Sequence, residues 1–90
     1  MKVEITGKKS RISVNKDSGE VRTYNELFFV EAKEMMARSK NETVEGRRAG
    51  SRETTLDLSD IKIGDIYFLE LEERKFRDSS WLELIGYEHV

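Results

Sequence analysis

Apolar and polar residues alternate along most of this chain. Val3 and Ile5 alternate with Lys2 and Glu4, and Ile12 and Val14 with Arg11 and Ser13. A period of two is the pleat of a half-buried strand, because successive side chains point to opposite faces. Lys2–Asn15 therefore reads as one strand with a kink at Gly7, where a residue without a side chain suits a bulge. Lys16–Glu20 reads as a turn in which Gly19 supplies the positive φ of a tight hairpin. Val21–Glu31 reads as the second strand. Its centre, Leu27-Phe28-Phe29-Val30, is apolar on both faces, the pattern of a strand covered on both sides.

The stretch Glu31–Lys40 admits two readings. Glu-Ala-Lys-Glu-Met-Met-Ala-Arg has strong helix propensity, yet the strand could also continue into a long hairpin. Asn41–Ser51 is polar, with Gly46 and Gly50 bracketing Arg47-Arg48-Ala49, and reads as a loop or wing. Arg52–Ser59 reads as a third strand with Thr54, Leu56 and Leu58 on one face. Asp60–Asp65 is a turn leading into a strand over Ile66–Glu73. Arg74–Ser80 is a polar hairpin tip, and Trp81–Tyr87 is the closing strand. Proline is absent, so every turn depends on Gly, Asn, Asp or Ser. Five strands in 90 residues predict an all-β, or mostly β, domain over 1–90, a small five-stranded OB-like barrel with at most one short helix near 31–40.

Composition narrows the function more than the fold. With no cysteine there is no disulfide frame, no thiol nucleophile and no thiolate metal site. A chain this short builds a modest core, for which self-association is a common remedy. No apolar run resembles a signal peptide, and none approaches the roughly 20 residues of a membrane span, so a cytoplasmic protein is expected. The net charge of −2 hides an asymmetry: residues 1–25 carry six basic and three acidic side chains, whereas residues 54–90 carry four and nine. Such a split provides either a basic face on an acidic protein or simply a solvated surface.

Catalytic chemistry finds little support. The only histidine, His89, lies next to the last residue, with no second histidine to complete a metal site. No glycine-rich phosphate loop precedes a helix, and Glu70, Glu72 and Glu73 fit the solvent side and end of a strand. No enzyme, metal or cofactor is expected. What the chain does offer is aromatic residues beside cations: Arg22 before Tyr24, Phe28 and Phe29 soon after, Arg74-Lys75-Phe76-Arg77 at a hairpin tip, and Lys8, Lys9 and Arg11 beside the kink. Proteins that hold single strands need both ingredients, because cations track phosphates while aromatic faces stack on bases. One of Phe28 and Phe29 must face the core, since neighbours in a strand point opposite ways. Trp81 and Tyr67 read as core residues. Phe76, among charges at a tip, either stacks on a base or packs across a dimer interface, and Arg47-Arg48 is either part of the site or a solvated loop.

These residues resemble the gene V type of single-stranded DNA-binding proteins of filamentous phages, which are dimeric OB-fold barrels of similar length. The likeness begins at Lys2-Val3-Glu4-Ile5 and continues at Tyr24-Asn25-Glu26-Leu27-Phe28-Phe29-Val30-Glu31. It resumes without gaps from Tyr67 to Leu84. The resemblance implies sequence-tolerant binding of single-stranded DNA, or of RNA, by a homodimer in phage or mobile-element replication. It places Tyr24 at the wing's stacking tyrosine, Phe29 near the groove, Arg11, Lys16 and Arg22 in the wing's basic set, and residues 74–80 near the dyad. The chain departs from the family where Ser79 replaces a phenylalanine, a place Phe76 would have to fill. It departs again where Ile85-Gly86-Tyr87-Glu88 lacks the closing strand's basic residue. Together with the charge pattern, the expected nucleic-acid-binding set is Lys8, Lys9, Arg11, Lys16, Arg22, Tyr24, Phe29, Arg47, Arg48, Lys75, Phe76 and Arg77. The rival expectation is a protein-interaction module working through the acidic last third.

Overall fold

A computed structural model describes residues 1–90 as five antiparallel strands and no helix. The strands are β1 (Lys2–Val14), β2 (Val21–Glu34), β3 (Arg47–Thr54), β4 (Ile66–Phe76) and β5 (Ser79–His89). They form one sheet in the order β3-β2-β1-β4-β5. With no helix present, none is long and apolar enough to cross a membrane.

The kink anticipated at Gly7 is a β-bulge: Ile5 pairs with Phe29, but Gly7 already pairs with Phe28, leaving Thr6 as the extra residue. The bulge bends β1 and strengthens the local twist. β4–β5 carries a second irregularity between Glu70 and Leu71. Bent at these two places, the sheet curls until its outermost strands meet. The buried Thr54 hydroxyl at the end of β3 donates to the Leu84 carbonyl of β5 (2.8 Å) and accepts from the Leu56 amide (3.0 Å). No ladder runs between β3 and β5, so the barrel stays open along that seam. The arrangement is compatible with an OB-type plan.

Inside the curl lie Val3, Ile5, Leu27, Phe29, Leu58, Ile61, Tyr67, Leu69 and Leu84. Every strand contribution obeys the period of two, and Leu58 and Ile61 are added from the loop between β3 and β4. That loop is held by local bonds. Asp57 Oδ1 accepts from the Ser59 amide (2.9 Å), Lys8 Nζ donates to the carbonyls of Ile61 (2.7 Å) and Leu58 (3.2 Å), and Asn25 Nδ2 donates to that of Leu56 (2.7 Å).

The helix considered over 31–40 does not form. β2 runs three residues past Glu31, because β1 pairs with it at Glu31 and β3 at Glu34, and Met35 N–H then donates to the Gly46 carbonyl. Neighbouring strands supply these backbone groups with partners, and tertiary pairing overrides helix propensity. The third strand is displaced from its expected range of Arg52–Ser59 to Arg47–Thr54. Thr54 and Asp57 both turn the chain through side-chain bonds to amides two residues on. The expected hairpin tip over 74–80 shrinks to Arg77-Asp78, with Phe76 paired to Ser79 and Arg77 at φ 55°.

Thr54→Val keeps shape and burial but leaves the Leu84 carbonyl and Leu56 amide without their partner. Urea unfolding is expected to show a loss of about 1–3 kcal/mol, the usual cost of buried groups left unbonded, with Thr54→Ser retaining most of the stability.

Candidate nucleic-acid interface

Two hairpins extend beyond the core and give the molecule principal extents of 56 × 34 × 18 Å. The first is the β1–β2 wing, in which every residue from Lys8 to Tyr24 is exposed. Asn15 closes its tip by accepting from the amides of Asp17 and Ser18, with Gly19 at φ 71° as its sequence anticipates. The second is the β4–β5 hairpin, exposed from Glu72 to Leu82.

The register divides the wing into two unlike faces. Lys9 pairs with Glu26, Arg11 with Tyr24 and Ser13 with Arg22 on the outer face. Ser10 pairs with Asn25, Ile12 with Thr23 and Val14 with Val21 on the face continuous with the core. All the wing's basic strand residues except Lys8 thus share one side with its tyrosine. The Arg11 guanidinium lies 5.3 Å from the Tyr24 ring centroid, a cation–π contact worth about 0.5–1 kcal/mol at an exposed site. Arg22 donates to Glu20 (3.2 Å), and the neighbouring Tyr24 and Glu20 raise its pKa. Lys9, Arg11, Tyr24, Asn25, Glu26 and Glu53 line a shallow hollow on this face.

The structure sorts the expected residues. Lys9, Arg11 and Lys16 lie on the wing without an ion-pair partner, and Tyr24 and Arg22 stand beside them. Lys8 points to the inner side, where its ammonium caps two loop carbonyls instead of facing a ligand. Phe29 is a correction: it is 3% exposed and packs in the core, so it has no free face for a base. Phe28, one residue earlier, is half-buried on the outer side with Tyr24 and packs over Gly7. The identity of neighbouring phenylalanines conceals which one faces out, and only the bulge and the pairing register settle it. Arg47 and Arg48 open β3 instead of lying in a loop; Arg47 bonds Glu4 (3.3 Å), while Arg48 lines a separate hollow with Met35, Met36 and Val44.

At the second hairpin Phe76 is 64% exposed with the Arg77 guanidinium 5.3 Å from its ring. Lys75 faces Glu73 (3.8 Å), and Arg74 bonds Glu83 (2.8 Å) and Glu72 (3.3 Å), contacts that raise its pKa. The acidic last third therefore neutralises part of its own charge. Trp81, expected in the core, is 48% exposed and shares the face of Phe76. Tyr67 is buried as expected; its hydroxyl accepts from the Lys62 amide, and its ring meets Tyr87 and His89 edge-on. His89 bonds Asp65 (3.0 Å). Burial raises the Tyr87 pKa, with Asp60 and Asp57 adding to it, and the Ser59 amide holds Asp57 below the usual carboxylate range. No cluster of acidic, histidine or cysteine side chains could hold a metal ion.

No family model, curated protein or solved structure matches this chain.

Lys8→Met removes the charged donor from the Leu58 and Ile61 carbonyls. Chemical denaturation is expected to show a loss near the lower end of the 1.5–3 kcal/mol typical of charged hydrogen bonds, about 1.5 kcal/mol, because the site is partly solvated.

Proposed function

We propose that the chain binds single-stranded nucleic acid, in a sequence-tolerant way, across the outer face of the β1–β2 wing. The observation that carries this reading is the Arg11 guanidinium over the Tyr24 ring, with Lys9 and Arg22 on the same face and Lys16 at the tip of a hairpin that projects from the core. An aromatic face for bases beside cations for phosphates is the chemistry of single-strand grooves, and of these cations Lys9, Arg11 and Lys16 have no ion-pair partner. Phe28 extends the aromatic row toward β3. In OB-type barrels oligonucleotides lie on the face of strands 2 and 3 and against the loops of the first and last hairpins. The wing tip and the Arg77-Asp78 turn occupy those two loop positions here. The likeness to gene V-type proteins, in which Tyr24 falls on the wing's tyrosine, supports the same reading and favours DNA in a replication setting.

Self-association belongs to the proposal. Ile12, Val14 and Val21 form an uncharged stripe on the wing's inner face, 58–67% exposed. A two-stranded ribbon is marginally stable by itself in water. A second copy of the chain is the occupant that stripe suits, because it brings an equally uncharged surface and leaves the basic outer faces directed away from each other. The alternative, a basic protein partner docked on the β4–β5 carboxylates, is weakened because Glu72, Glu73 and Glu83 already face Arg74 and Lys75.

Labelled oligo(dT) followed by fluorescence anisotropy tests the binding. Affinity is expected to fall with salt, at a log–log slope of about −0.7 per phosphate neutralised, and Lys9→Ala is expected to reduce that slope by about one such unit. Tyr24→Ala should weaken binding by about 1–3 kcal/mol, the range for one stacked base. Absence of binding to oligo(dT) and to RNA at low salt would refute the proposal. Sedimentation velocity tests the stripe separately: the native chain is expected as a dimer and Val14→Lys as a monomer with an unchanged circular dichroism spectrum.

A further inference from the structure

Trp81 is the largest aromatic side chain of the protein, and its indole is half in solvent. It stands at the open seam between β3 and β5. There Trp81 and Leu82 form one wall of a cleft of about 370 Å³ whose remaining lining is Glu26, Ser51, Arg52 and Glu53. That volume lies at the lower end of the roughly 300–1,000 Å³ usual for ligand clefts. Glu26 and Glu53 also line the hollow that holds Lys9, Arg11 and Tyr24, so the two depressions are neighbours sharing a ridge. Arg52, one of the lining residues, also carries an unmet donor. Arg52 Nη1 donates to the Ser51 carbonyl (2.8 Å), but its Nε is buried and has no hydrogen-bond partner. A buried donor without an acceptor is costly, and the guanidinium that carries it is one of the walls of the cleft.

Resting on the single-strand reading above, we infer that this seam cleft is a second base-binding site, taking a nucleobase of the same strand that crosses Tyr24. The indole of Trp81 supplies the stacking face. The chemistry of the other walls suits a base and not a phosphate. Glu26 and Glu53 stand opposite each other across β2 and β3 and repel a phosphodiester. Their carboxylates instead accept from a base amino group, as acidic side chains do from the N4 amine of cytosine, and the Arg52 guanidinium donates to ring acceptors. Ser51 keeps the Glu26 carboxylate oriented by donating to Oε2 (3.1 Å). The strand would thus run from the basic wing, where phosphates are neutralised, across the shared carboxylate ridge with its bases turned inward, to the indole.

Trp81 is the only tryptophan, so its emission reports on the cleft in the unmodified protein. Titration with oligo(dC) is expected to quench that emission with the same midpoint as the anisotropy of labelled oligo(dC). Trp81→Ala is expected to weaken binding about 5- to 150-fold, the equivalent of one stacked base, while leaving the salt slope unchanged. Trp81→Phe should recover a large part of the loss, which separates stacking from a folding defect. If oligonucleotides bind but the emission does not change and Trp81→Ala binds like the native chain, the cleft is not a base site and the wing reading stands alone. If Trp81→Ala instead converts a dimer to a monomer in sedimentation, the indole belongs to a contact between copies and the inference falls. If neither oligo(dT) nor oligo(dC) binds, the wing reading fails and takes this inference with it.

Discussion

The buried hydroxyl of Thr54 makes the hydrogen bond that ties the two ends of the sheet together. It donates across the seam to Leu84 of β5, and it receives the Leu56 amide where β3 turns into the following loop. A five-stranded sheet lying flat would expose one face of every strand and could not enclose Leu27, Phe29 and Leu84 together. The bulges at Ile5/Gly7 and Glu70/Leu71 supply the curvature, and the threonine bond holds the curled ends in register. The loop over 55–65 then closes the interior with Leu58 and Ile61, itself capped by Lys8. Seam, bulges and loop cap are thus one cooperative arrangement. Because the seam has no hydrogen-bond ladder, a cleft remains beside it.

The small core has a further consequence. Enclosing nine buried apolar side chains uses only short parts of β1, β2, β4 and β5 together with Leu58 and Ile61 of the loop, and the remaining lengths of these four strands run out into solvent as two ribbons. Ribbons of this kind are costly for a chain of 90 residues unless they carry a function, since both faces remain wet. On the first ribbon the pleat sorts cations and tyrosine to one face and uncharged β-branched residues to the other. On the second, the carboxylates are largely occupied by Arg74 and Lys75, which leaves Phe76 and Trp81 as its most prominent free groups. Charge asymmetry along the chain thereby becomes asymmetry in space, with a basic wing at one place and a self-neutralised acidic hairpin at another.

Much of this was legible in the chain before folding. The period-two alternation located the strands, Gly7 marked the bulge and Gly19 the wing turn, because those signals are local and arise from the pleat and from backbone sterics. The grouping of Lys9, Arg11, Arg22 and Tyr24 on one face also follows from alternation once the hairpin is recognised. Long-range pairing settled the rest. Helix propensity over 31–40 lost to hydrogen bonds offered by β1 and β3, and the third strand moved to Arg47–Thr54 because those residues, not the later ones, lie beside β2. Phe29, expected near the groove, went to the core because it pairs with buried Ile5 of β1, and alternation left Phe28 on the outer face. Lys8 was drawn from the binding set because a loop some 50 residues later places two carbonyls above it. Trp81 emerged at the surface because Leu84, which pairs with Leu71, takes the inward face of β5, and alternation then turns Trp81 outward beside Arg74. Local chemistry determined which elements exist; which side of each element meets the core, a carbonyl or solvent was decided only when distant strands came together.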